Sequence, residues 1–211
     1  MQNLDLLIAS GLLYLVMPVW MLAGFGDYAC HRYMRIEHNA GLRESLLHLL
    51  MLAEIGVAIL APLFFEPTSG VLVLMLLACL AHEVTTCIDL AYAQSHRPIP
   101  WFEQWVHGLQ QALPWAWLSG WALLAAPQAL ALVGLAEAPP DWRLQLRSPP
   151  LPVAYLAAIM AGSLLLVWGP FLDECRRCLK ARRAPTATSP ASGHSAAGPQ
   201  PTSDALQAQR R

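Results

Sequence analysis

Five stretches of about twenty mostly apolar residues recur along the chain, at 5–26, 46–65, 70–93, 114–135 and 151–172. Nothing else in the sequence restricts its fold as strongly. An α-helix rises about 1.5 Å per residue, so about 20 residues cross a hydrocarbon core of about 30 Å. Inside lipid the chain must satisfy its own backbone N–H and C=O groups, which leaves only helices or closed barrels. The stretches lack strand-like alternation, so they predict an all-α, integral-membrane helical bundle with about five transmembrane helices. Composition agrees: 56% of the 211 residues are hydrophobic and 13% are charged, against roughly 25% charged in soluble domains. A net charge of −1 leaves no basic excess to neutralise phosphates, so nucleic acid is not an expected partner. The first stretch opens without Arg or Lys and closes on no small-x-small site, and it reads as a retained helix rather than a cleaved signal.

Short loops carry the orientation signal, because cations are retained on the cytoplasmic side. Arg32, Arg35 and Arg43 follow the first stretch, Arg97 follows the third, and Arg176, Arg177, Lys180, Arg182 and Arg183 follow the fifth. The opposite side holds Glu66-Pro67-Thr68-Ser69-Gly70, without a cation, and a loop at 136–150 of mixed charge. The expectation is an N-terminus outside and a C-terminus in the cytoplasm, in a plasma or inner membrane. Residues 1–180 form the expected transmembrane domain. Residues 181–211, rich in Pro, Ser, Ala and Gly, read as a disordered cytoplasmic tail that includes His194. Trp101–Leu113 is predicted as an amphipathic helix on the cytoplasmic surface, with Pro114 kinking or breaking the chain before the fourth span.

Titratable residues are costly in a bilayer, at roughly 2.5–3.5 kcal/mol for a central acid even on lenient scales. Residues 27–107 nevertheless contain eight acids and six histidines, whereas 151–172 has no titratable acid or histidine. The spacing points to chemistry. Asp27 and His31, Glu44 and His48, and Glu103 and His107 are each four apart, which puts each pair on one helix face. His82 and Asp89 are seven apart, again on one face, and His82 and Glu54 lie at matching depth from the same membrane surface. Carboxylates and neutral imidazoles form the ligand set suited to iron, manganese or zinc. A dinuclear carboxylate site in a bundle takes six to eight such ligands from facing helices. The candidates are Asp27, His31, Glu44, His48, Glu54, His82, Glu83, Asp89, Glu103 and His107, enough for two metals with carboxylates left over to orient the histidines.

In site character, Asp27-x3-His31-Arg32, Glu44-x3-His48, His82-Glu83 and Glu103-x3-His107 resemble the histidine-box membrane di-iron oxygenases, the fatty-acid desaturase and hydroxylase class. One histidine of each pair in that class is an acid here, and the HxxxH and HxxHH boxes are absent. The resemblance implies two iron ions and O2, a lipid or other apolar substrate reached from the bilayer, and a separate electron-donor protein. The chain carries no P-loop, GxGxxG or GxSxG of its own.

Two other classes fit the same residues. One is a membrane zinc hydrolase, with three protein ligands and an activated water. The other is a non-catalytic membrane protein whose acids and histidines form a proton relay or a structural network. Glu37, His38, His96 and Glu66 read as turn or interface residues. Cys30, Cys79 and Cys87 read as buried apolar groups, and the lone Cys175-x2-Cys178 as free thiols, since a zinc ribbon needs a second pair.

Overall fold

A computed structural model describes residues 2–183; the expected tail beyond Arg183, with His194, lies outside the described residues. The described chain is helical, with one isolated bridge between Phe65 and Leu146 in place of any strand. Its elements are α1 (Asn3–Met34), α2 (Gly41–Phe64), α3 (Ser69–His96), α4 (Trp101–Leu124), α5 (Ala126–Leu132) and α6 (Val153–Arg183). Among the described residues four helices, α1, α2, α3 and α6, are long and apolar enough to cross a membrane. Large apolar side chains such as Leu7, Leu15, Leu77, Val84 and Leu165 point outward around the bundle, as a surface meant for lipid does.

The stretch at 114–135 is not one helix. Pro114 is buried inside α4, which runs unbroken from Trp101, so no separate surface helix ends there. The break comes instead at Ala125, where Pro127 in the first turn of α5 restarts the chain. Neighbouring helices can hold a helix through the donor that a proline lacks; α4 packs against α1, α2 and α3.

Two other prolines leave a visible mark. Leu12–Val16 in α1 and Leu164–Trp168 in α6 are π-helical turns, just ahead of Pro18 and Pro170. A proline ring collides with the carbonyl four residues back, which is Tyr14 in one helix and Leu166 in the other. The wider π turn carries that carbonyl aside.

One end of the bundle gathers the close of α1, the start of α2, the close of α3, the start of α4 and the close of α6. The α1–α2 connection is compact. Arg35 takes a left-handed conformation (φ 52), Ile36–His38 forms a 3-10 turn, and Gly41 (φ 69) opens α2. At the other end, 136–150 packs across the α2–α3 turn. Gly70 N–H donates to Asp141 O at 2.9 Å, and Thr68 Oγ1 donates to Arg143 O at 2.9 Å. Between the ends lies an apolar core built around Met17, Ala58, Met75, Trp117 and Trp121.

Candidate metal centre

The polar end of the bundle is organised by one carboxylate. Glu174 of α6 is fully buried. Its Oε2 lies 3.0 Å from His31 Nδ1 and its Oε1 lies 3.0 Å from His48 Nδ1. The two imidazoles are stacked, with ring centres 4.5 Å apart and planes 12° from parallel. With Glu174 ionised, each Nδ1 can donate a proton to it, and a ring that is otherwise neutral would then keep an Nε2 lone pair. Both Nε2 atoms are buried without a hydrogen-bond partner.

Each Nε2 faces acids, one from its own helix in the case of His31 and the rest from other helices. His31 Nε2 is 3.3 Å from Asp27 Oδ1 and 3.4 Å from Glu103 Oε1, and Glu44 Oε1 stands at 4.0 Å. His107 Nε2 approaches Asp27 Oδ1 at 3.0 Å. His48 Nε2 faces Asp89 Oδ2 at 3.4 Å. Asp27, His31, Glu103 and His107 bring one ligand atom each to within 4.8 Å of one another, as do His31, His48 and Glu174. The four-residue spacing does this work: one turn of α1 supplies Asp27 and His31, and one turn of α4 supplies Glu103 and His107.

Arg97, in the extended connection after α3, closes the cluster from the loop side. It is buried, with Nε 3.1 Å from Glu44 Oε1 and Nη1 3.0 Å from Glu103 Oε2. Burial opposes its charge, but the hydrogen bonds to Glu103 and Glu44 outweigh it and raise its pKa above the ordinary arginine value.

Charge then sets a requirement. Asp27, Glu44, Asp89, Glu103 and Glu174 are five buried carboxylates facing one buried guanidinium, that of Arg97; Arg177 is engaged by Glu37 and Asp173. With neutral imidazoles this leaves four uncompensated negative charges. Each buried unpaired ion costs several kcal/mol, so the cluster calls for cations or for protons on its histidines and acids.

A cavity of about 320 Å³ opens beside the cluster, lined in part by Asp27, His48, His82, Asp89 and His107. Of the ten predicted ligands, Asp27, His31, His48, Asp89, Glu103 and His107 meet here, with Glu44 held next to them by Arg97. His82 lines the cavity without joining either ligand group, and its Nδ1 has no partner. Glu54 accepts from Thr85 Oγ1 at 2.9 Å, and Glu83 accepts from Trp115 Nε1 at 2.8 Å; neither belongs to those groups. All five cysteines are free, and Cys87 is exposed, contrary to its expected burial, because its side of α3 faces away from the bundle.

Two residues escaped the sequence reading. In sequence Arg97 carries only an orientation signal. Glu174 lies just past the fifth apolar stretch, among charged residues that read as a solvated exit. Phe171, Glu174 and Cys178 are nevertheless buried at intervals of three and four, which is the periodicity of an inward face. The chain matches no protein-family model, no curated protein and no solved structure.

Proposed function

We propose that the chain is an integral-membrane metalloenzyme of di-iron type, oxidising a lipid or other apolar molecule with O2. The observation that carries this reading is the pair of buried, unpartnered Nε2 atoms of His31 and His48, facing carboxylates while both Nδ1 atoms are held by Glu174. In this reading His31, His107, Asp27 and Glu103 hold one metal, and His48 and Asp89 hold the second beside the cavity. Two divalent cations would supply the four positive charges that the cluster lacks. Glu174 holds the Nδ1 protons so that the rings remain ligands, and Arg97 fixes the directions of Glu44 and Glu103. Iron in such a site supplies the binding and reductive activation of O2. The electrons would come from the substrate C–H bond and from a separate donor protein, and the carboxylates that hold no metal would be placed to deliver the protons that the reduction of O2 to water needs.

The positions of the cations support an N-terminus outside and a cytoplasmic C-terminus, with the centre toward the cytoplasmic face. α4 serves as the fifth crossing: its 24 residues extend about 36 Å, from the polar end to the far end, where Gly120 meets Leu12.

One observation favours a second reading. His107, Asp27, His31, Glu174, His48 and Asp89 form a chain of three hydrogen bonds of 3.0 Å joined by two close contacts, His31–Asp27 at 3.3 Å and His48–Asp89 at 3.4 Å, spacings that support a proton relay. Elemental analysis of protein purified without chelator separates the readings. About two irons per chain, lost in His31→Ala and His48→Ala, support the di-iron centre. One zinc, lost with Asp27 or His107, points to the hydrolase. Folded protein with no stoichiometric metal, whose proton flux in liposomes falls in His48→Gln, replaces both with the relay.

A further inference from the structure

A second cavity, of about 470 Å³, runs deeper into the bundle between α1, α2 and α6. It shares Trp20, Leu52, Ile55 and Gln110 with the cavity beside the polar centre, so the two are neighbours that meet at these four side chains. It reaches from Leu52 on α2 to Phe65, the residue just past the helix, about 20 Å by helical rise. One leaflet of hydrocarbon is about 15 Å thick, half of the bilayer core, so the shaft is deep enough for one lipid chain. Its wall is apolar except for Gln110 and Ser163. Its side is open toward the outside of the bundle. Val57, Met160 and Leu164 are exposed there, and a Cβ placed on Gly56 meets nothing within 4 Å.

The head of the occupant is specified by the first cavity. Its lining contains Gln94, Gln104, Gln110 and Gln111 but, among the described residues, no lysine or arginine, and it contains Asp27 and Asp89. An anionic head would meet the carboxylates of Asp27 and Asp89, while the lining imidazoles of His48 and His107 are already turned to those same acids, at 3.4 and 3.0 Å. A hydroxyl or carbonyl head meets amides that can donate to it and accept from it.

We infer that the joined cavities bind a single-chain amphiphile with an uncharged head, of the long-chain alcohol or aldehyde class, its tail passing between α2 and α6 into the shaft. The head lies among the glutamines, and the carbons next to it lie against His48 and Asp89. This deepens the oxidase reading by naming its substrate class, but the binding itself requires no metal.

The test uses a long-chain alcohol carrying a diazirine at its methyl end, with the matching fatty acid as a second probe, on the full chain in detergent. On irradiation the alcohol should label the deep wall, at Ile59–Phe65 and Ile159, and the fatty acid should label it at least tenfold less. Gly56→Trp, which fills the shaft, should remove the deep label at least tenfold without changing metal content. Leu164→Trp at the opening is the second variant, should the first not fold. His48→Ala should keep the deep label, so loss of the metal reading leaves this one standing. Label scattered over the outer faces, or deep label unchanged in a folded shaft variant, overturns the inference. Equal labelling by the fatty acid overturns the uncharged head.

Discussion

Glu174→Gln tests the arrangement most directly. An amide is nearly isosteric with the carboxylate but has one acceptor oxygen where Glu174 has two, each 3.0 Å from an imidazole Nδ1. One histidine keeps its partner. The other faces an N–H donor, so either its Nδ1–H is left unpaired or the ring shifts its proton to Nε2 and ceases to be a ligand. An unmade buried hydrogen bond costs about 1–3 kcal/mol. Loss of a carboxylate that orients a metal-bound histidine typically lowers affinity 10–100-fold, which is about 1.4–2.8 kcal/mol. The first is a loss of stability and the second a loss of metal affinity, and the affinity is the quantity tested. Competition against a coloured chelator of known affinity, run anaerobically with Fe(II), measures the change. Asp173→Asn is the control, because it removes the same charge one residue away at a side chain that is 47% exposed. Wild-type affinity in Glu174→Gln, or an equal loss in Asp173→Asn, would refute the orienting role.

Other expectations follow from the same contacts. Arg97→Gln leaves Glu44 and Glu103 buried without their cation and should cost about 3–5 kcal/mol, read as a lowered thermal midpoint in detergent. Arg97→Lys should restore only part of this, since an ammonium cannot reproduce the planar fork. Gly70→Ala places a Cβ 2.9 Å from the backbone carbonyl of Trp142 and should destabilise by about 1–3 kcal/mol. Gly56→Ala, in open space, should be tolerated. Maleimide should modify exposed Cys87 in detergent well before buried Cys79 and Cys178, with peptide mass spectrometry giving the order.

Much of this was legible in the sequence because lipid allows few solutions. The apolar stretches located α1, α2, α3 and α6, and the interval of four in Asp27/His31 and Glu103/His107 forecast shared faces that the bundle turns inward. Depth was legible too: Glu54 and His82 were placed at one level, and Glu54 accepts from Thr85, a turn along from His82. Helix ends were harder to read. Pro114 looked like a break, yet packing carries α4 through it, and the chain divides at Ala125 instead. Arg97 reaches its two glutamates only through the path of a loop, which periodicity does not encode. Glu174 was hidden by its neighbours: Asp173, Arg176 and Arg177 give the segment a solvated composition, while every third or fourth residue faces inward.

The two wide turns ahead of Pro18 and Pro170 act on their helices as a phase shift. A single inserted residue rotates everything after it by about 100° relative to an uninterrupted α-helix. Asp27 and His31 lie downstream of one such turn, and Phe171 and Glu174 lie downstream of the other. Because the wide turn absorbs about one residue, rewinding Leu164–Trp168 as α-helix without removing a residue would swing Glu174 about a quarter of the way around its axis, away from both imidazoles, whereas deleting one residue there would leave it in place. The two prolines, though remote from any ligand, thereby set the azimuth at which the histidines and their shared carboxylate meet.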